Sequence, residues 1–347
     1  MKNRNFKKSI IIALSFTIGI LRAQDIHFSA MDYSPLTINP AMAGANYDLQ
    51  ATANYRTQWN SVATPYNTIA ASYDMRFFNN NQFGEGFLAA GIHFNNDNVG
   101  ESRISSNNIG LSVAYHLKLN QEHTLGLGIQ GAYGSRSFTE NNGQWGNQYD
   151  GTGYNPNMAT GESFDRANFG YFDAGAGLHY TYRPVQKTTN NNGTLLNIGF
   201  AAYHLNRPSY SFIKEDGEDL YVRLSSYVMA EIGIGETKMA IEPQLIMQFQ
   251  GPSIETLLGT DYRFYLGQGT SKNGHYDGTS LAVGVFYRNK DALLSRFSVR
   301  FGGIDAGLVY DFNLFSSLKE VSRAKGGVEI FLRYILNNPF KETRARI

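Results

Sequence analysis

The sequence predicts an all-β protein: a transmembrane antiparallel β-barrel of about 14 strands with a plug-like N-terminal segment. Three observations carry that prediction. Over stretches of about ten residues, apolar side chains alternate with polar or small ones. That period puts one set on each face of a strand, and ten residues is the length of a tilted membrane-spanning strand. The chain is also short of charge, at 17%, and rich in aromatics, at 14%, whereas a soluble domain carries about 25% charged residues. Finally, the one apolar run of any length, Ile10 to Leu21, falls short of the ~20 residues a spanning helix needs.

That run opens the chain. Lys2, Arg4, Lys7 and Lys8 precede it, and Leu21-Arg22-Ala23 follows it. A basic stretch, a short apolar core and a small residue at the cut make an export signal, with cleavage expected after Ala23. Residues 1–23 are therefore read as a signal peptide. Removing their five basic residues leaves 25 positive against 29 negative side chains, a mildly acidic mature chain.

Residues 24–47 come next and do not alternate. Asn39-Pro40 starts a turn, because Asn bonds its own backbone and Pro fixes φ, and Gly44 can end it at a positive φ. A barrel of this size has a lumen to fill, so the segment is expected to fold into the periplasmic mouth as a plug or lid, or else to lie on the rim.

The barrel is expected over 48–335. Its predicted strands are 48–59, 66–77, 86–95, 105–117, 124–138, 169–182, 195–205, 225–234, 238–249, 255–267, 279–288, 293–301, 304–312 and 326–335. In 238–250 the residues Met239, Ile241, Pro243, Leu245, Met247 and Phe249 share one face, with Glu242, Gln244 and Gln248 on the other. Gly302-Gly303 is a tight hairpin signal. Tyr73/Phe77, Tyr180/Tyr182 and Tyr310/Phe312 sit near strand ends, where aromatic girdles lie. The gap 139–168 has little apolar period and reads as a surface loop. A basic tail, 336–347, ends the chain. A secreted sandwich or lipocalin-like barrel would use the same alternation with the apolar face inward. The even strand number and the small or polar second face favour the membrane barrel.

Function classes narrow by elimination. A net charge of +1 with no basic block gives no footprint for nucleic acid. Zero cysteines exclude disulfides, Cys-ligated zinc and thiol chemistry. Gly-x-Gly-x-x-Gly occurs at Gly126, Gly128 and Gly131, but inside an alternating strand rather than before a helix, so it signals close backbone approach and not a dinucleotide. His93, His116, His179 and His204 lack metal-ligand spacing and read as wall residues. Asp74 with Arg76 reads as a luminal charge pair, and 215–219 as a solvated acidic loop. No catalytic motif, cofactor site or metal site is expected.

The start of the mature chain is the most distinctive stretch. It runs Gln24-Asp25-Ile26-His27-Phe28-Ser29, then Leu36 with Asn39-Pro40-Ala41-Met42-Ala43-Gly44, then Tyr55-Arg56-Thr57-Gln58-Trp59. It continues with Pro65-Tyr66-Asn67-Thr68, His204-Leu205-Asn206-Arg207-Pro208, Tyr310-Asp311-Phe312-Asn313-Leu314 and Gly327 to Tyr334. In that order these pieces resemble the PorP/SprF family of the Bacteroidetes type IX secretion system. Asn39, Pro40, Gly44, Tyr55, Arg56, Gln58 and Trp59 carry the signature. Arg207, where the family often has Gln, and the basic tail depart from it.

The resemblance implies a non-enzymatic protein of the bacterial outer membrane that delivers or retains a cognate surface protein, adhesin-like cargo recognised by its C-terminal domain. It implies contact with periplasmic and outer-membrane secretion components and with outer-membrane lipid. Tyr149, Tyr154 and Phe164 in 139–168 are candidate partner contacts, since aromatics dominate binding hot spots. The alternatives are a passive porin-like channel for small solutes and an outer-membrane hydrolase with Ser or Asp beside His at a rim.

Overall fold

The computed structural model describes residues 25–336, apart from 61–63, 78–85, 101–102, 139–144, 162–165, 185–192, 214–218, 236, 267–270, 273–274, 277–278 and 317–318. The expected signal peptide, residues 337–347 of the basic tail, Phe164 and the acidic residues 215–218 lie outside the described residues, while Leu336 belongs to the last strand. No helix among the described residues is long and apolar enough to cross a membrane.

The wall is built from β1 (Leu49–Gln58), β2 (Tyr66–Phe77), β3 (Gly86–Val99), β4 (Ile104–Lys118), β5 (His123–Ser137), β6 (Asn168–Tyr182) and β7 (Thr194–Tyr203). It continues with β8 (Arg223–Gly233), β9 (Met239–Gln250), β10 (Ser253–Tyr265), β11 (Ser280–Arg288), β12 (Ala292–Phe301), β13 (Ile304–Phe312) and β14 (Lys325–Leu336). Each strand pairs antiparallel with its sequence neighbours, and β1 pairs with β14 from Leu49↔Leu336 to Thr57↔Val328, which closes the barrel. Closure leaves no free sheet edge, the condition for strands to cross lipid.

Which face points inward decides between a membrane barrel and a secreted one. On β1, Thr52, Asn54 and Arg56 are buried while Tyr55 is 43% exposed. On β5, Gln130 is buried while Leu127 and Ile129 are about 60% exposed. The arrangement is that of a soluble barrel turned inside out: polar side chains fill the bore and an apolar band faces outward. That band, burying nothing within the chain, matches the lipid-facing surface of an outer-membrane barrel.

The two ends differ. At one, here called the base, β1 begins, β14 ends, and Gly302-Gly303 turns between β12 and β13 with φ of 57° and 83°. Positive φ at both positions is what a two-residue hairpin asks for, and glycine supplies it without strain. At the other end, the mouth, lie the connections 138–167, 204–222 and 313–324. β3 runs on to Val99, beyond the expected 95, because Asn96↔Asn107 and Val99↔Ile104 continue the ladder with β4 after the apolar alternation has ended.

Candidate functional site

The candidate site is the bore and the segment within it. Residues before β1 form three short turns of helix, Met31–Tyr33, Pro35–Ile38 and Pro40–Met42. Two start on prolines, whose fixed φ suits a first helical position. Nearly every residue from Phe28 to Ala45 is buried. The segment's contacts run along the bore from the mouth, at Asp25, to the base, at Gly44.

At the mouth, Asp25 Oδ2 lies 2.6 Å from His204 Nε2 and 3.3 Å from Arg223 Nε, and its backbone N–H donates to Gln250 Oε1 at 3.0 Å. His204 Nδ1 meets Asp173 Oδ2 at 2.9 Å. Carboxylates only accept, so both ring nitrogens donate and the ring is an imidazolium. Burial works against that charge, but Asp25 and Asp173 outweigh it and push the His204 pKa up to about 9. Burial likewise opposes ionisation of Asp25, yet His204 and Arg223 hold its carboxyl well below the usual range.

Deeper in, Ser29 is a knot. Its N–H donates to Glu329 Oε2 at 2.5 Å and its hydroxyl to Asp311 Oδ1 at 2.8 Å. Arg56 reaches Asp311 at 2.9 Å and the His27 carbonyl at 2.7 Å, and Arg288 pairs with the same aspartate. Arg56, Asp311 and Glu329 are each at most 2% exposed. Charges this deep are tolerable only when paired and hydrogen-bonded, and here the segment supplies partners that the wall alone lacks. One turn on, Arg296 bonds Asp32 at 2.6 Å and Asp261, and the Arg333 guanidinium lies 4.2 Å over the Tyr33 ring.

Asn39 anchors the turn. Its side-chain Nδ2 donates to Leu178 O at 2.7 Å and lies 3.2 Å from the Tyr227 hydroxyl, while its Oδ1 accepts from Ala41 N at 2.8 Å. The wall opposite is cut back to glycine: a Cβ on Gly128 would meet Ala41 N at 2.4 Å. At the base, Gly44 (φ 63°) donates its N–H to Asp74 Oδ1 at 2.7 Å, and its carbonyl accepts from Arg76 Nε at 2.5 Å.

The signature residues thus divide. Asn39, Pro40, Gly44 and Arg56 join segment to wall. Gln58 stands next to Arg56, and in the amide orientation that satisfies both groups its oxygen accepts from Arg56 Nε at 2.8 Å. Tyr55 faces outward and donates its hydroxyl to Asn67 at 3.2 Å. Trp59 packs on Tyr66 with ring centroids 4.4 Å apart, at the mouth end of β1. Gly44 and Trp59 lie at opposite ends of the ten-residue β1. The expected Asp74–Arg76 pair is corrected: Asp74 caps Gly44, and Arg76 pairs with Asp48 at 3.0 Å. The segment carries backbone groups to these side chains that a periodicity argument cannot place. Ser29, Asp32, Arg288, Arg296 and Arg333 are site residues that the sequence reading does not single out; the three arginines are signalled by charge on the inward face of a strand, whereas Ser29 and Asp32 lie in the segment, which has no period to place them.

Above the bore, Arg136 stacks 3.9 Å over Tyr210 and Arg166 4.3 Å over Phe169, while Arg166 Nε donates to Ser211 O at 3.1 Å. These contacts tie the connections 138–167 and 204–222 together. Tyr149 and Tyr154 bridge at the foot of a small hairpin and stay 62% and 43% exposed. Asp150 Oδ1 fixes its tip by accepting from the N–H groups of Thr152 and Gly153.

Solved structures similar to this chain include a TodX deltaS2S3 mutant monoaromatic hydrocarbon channel, at 12% identity and TM-score 0.49, covering 87% of this chain and 94% of that one. The Pseudomonas putida toluene transporter TodX matches at 11% identity and TM-score 0.46, over 89% and 94%. A Pseudomonas aeruginosa FadL homologue matches at 10% and 0.46, over 86% and 92%. No curated protein matches the chain. The family model for the type IX secretion system membrane protein PorP/SprF matches residues 20–334. The chain, a closed 14-strand barrel with a lipid-facing apolar exterior, belongs to the PorP/SprF family of type IX secretion outer-membrane proteins.

Proposed function

We propose that this protein is a non-enzymatic adaptor that delivers or retains a secreted surface protein, recognising that partner's C-terminal domain at the barrel mouth. In this reading the mouth faces the cell exterior and the base faces the periplasm. Tyr149 and Tyr154 are the partner contacts, together with Phe164. The observation that carries the reading against a passive channel is the bonding of residues 25–46 to inward side chains of β1, β2, β4, β7 to β9 and β11 to β14, and to the Leu178 carbonyl of β6. A chain bonded on all sides occupies the space that a solute channel keeps open, and leaves the mouth as the working surface. The segment then acts as a plug.

Surface proteomics of a deletion strain tests this. Loss of the protein is expected to remove one or a few large proteins from the cell surface with small-solute uptake nearly unchanged. An unchanged surface proteome with impaired uptake rejects the adaptor in favour of a channel. Replacing 139–168 by a short Gly/Ser turn is expected to abolish partner retention while the barrel still assembles.

A further inference from the structure

A cavity of about 80 Å³ lies between the luminal segment and the mouth halves of β3 to β8. One water fills a sphere of roughly 10–15 Å³, so the space takes several waters or one small ring. Leu36 and Thr37 of the segment form its floor, and His93, Asn95, Asn108 and Gln130 its wall. Tyr171, Tyr203 and Tyr210 add three aromatic rings.

The charges on its margin are already engaged. Asp25 and Asp173 hold the His204 ring, Arg223 donates to Thr37 O at 3.0 Å, and Asp97 accepts from Thr68 at 2.6 Å. What remains includes three acceptors without partners. His93 Nε2 faces Asn108 Oδ1 at 2.8 Å and must donate to it, which leaves Nδ1 of a neutral ring as an acceptor. His93 Nδ1, Asn95 Oδ1 and Asp173 Oδ1 are buried with no partner among the described residues. Their side chains are only 4%, 8% and 6% exposed. Buried polar groups cost free energy until something pairs with them.

An anion would meet acceptors and be repelled. A metal ion would compete with cations that already hold the carboxylates. A neutral ligand with several hydroxyls fits instead, because hydroxyls donate to the orphan acceptors and also accept from amides such as Gln130. Tyrosine faces give the apolar side of such a ring a surface to lie on. We propose that this recess binds one neutral sugar ring, either free or as the terminal unit of a glycan. The assignment does not rest on the adaptor reading.

The test is binding of glucose, galactose, mannose and N-acetylglucosamine to the purified full-length barrel in detergent, read by ligand-observed NMR. At least one sugar is expected to bind saturably. Asn95→Leu and Gln130→Leu, each shown to be folded by heat-modifiable migration, are expected to weaken it by about tenfold or more. Methyl glycosides separate the two sources: equal affinity with the reducing end blocked points to a glycan terminus, and loss of binding points to the free sugar. Three results overturn the proposal: no sugar binding up to about 10 mM, binding unchanged in both variants, or binding of methylamine in place of every sugar.

Discussion

Asn39 and Gly177 share one volume: a Cβ on Gly177 would stand 2.0 Å from Asn39 Oδ1. The absent side chain in β6 is therefore what lets the Asn39 amide reach the Leu178 carbonyl and the Tyr227 hydroxyl. Gly177→Ala is expected to expel the amide, adding overpacking of about 1–3 kcal/mol. Asn39→Ala keeps the space but leaves buried partners unmet, at about 1–3 kcal/mol. Both variants should lower the temperature at which the folded barrel loses its fast gel migration. Equal midpoints for wild type and both variants would mean that the turn does not hold the segment.

The Asp25–His204 contact makes a pH-dependent anchor at the mouth. His204 has its folded pKa raised to about 9, above an ordinary value of 6.5, so its contribution is complete below about pH 6.5 and is lost as pH rises through 9. Asp25 has its folded pKa lowered, so its share is complete above about pH 4 and is lost only in stronger acid. The anchor is expected to be strongest between pH 4 and 6.5 and to weaken from there as pH rises through 9. NMR of the labelled histidine should show a midpoint near 9, falling in Asp25→Asn. A midpoint near 6.5 in the wild type removes the ion pair.

Much of this was legible in the sequence, for a physical reason. Alternation has a period of two wherever one face meets lipid, so the strands could be placed, β2 and β13 to the residue. Where both faces are polar, as at Asn95 to Asn98, the period vanishes although the ladder continues. The family signature marked Asn39, Gly44 and Arg56 without saying why those residues are needed together. Their partners are Leu178, Asp74 and Asp311. Arg56 and Asp311 lie 255 residues apart in the chain. Nothing local encodes such a pairing; closure of the barrel brings it about.

Orientation has its own test. With 14 strands both ends of the wall lie at the base, so connections after odd strands gather at the mouth. A protease site inserted at Gly151-Thr152, in the exposed hairpin tip, is expected to be cut on intact cells. One inserted in 78–85, between β2 and β3, is expected to be protected. The reverse pattern turns the barrel over, and would put Tyr149 and Tyr154 on the periplasmic side.

The proposed plug is tested by its removal. The wall keeps ion pairs that need no segment, such as Arg263 with Glu242 and Arg300 with Asp305 at 2.9 Å. The ladders from β1 round to β14 likewise involve none of its backbone. A protein lacking 25–47 should therefore still insert and close, though with Asp32 gone from Arg296 and Ser29 gone from Asp311 and Glu329. Those side chains would then meet water in an open, charged bore. Planar-bilayer recordings are expected to show little conductance for the whole chain and stable channels for the shortened one. Splitting the contacts refines the result: Asn39→Ala should give brief openings, because it loosens one anchor and leaves the Ser29 and Gly44 anchors in place. Equal conductance with and without the segment means that it does not seal the bore, and the channel reading then regains its ground.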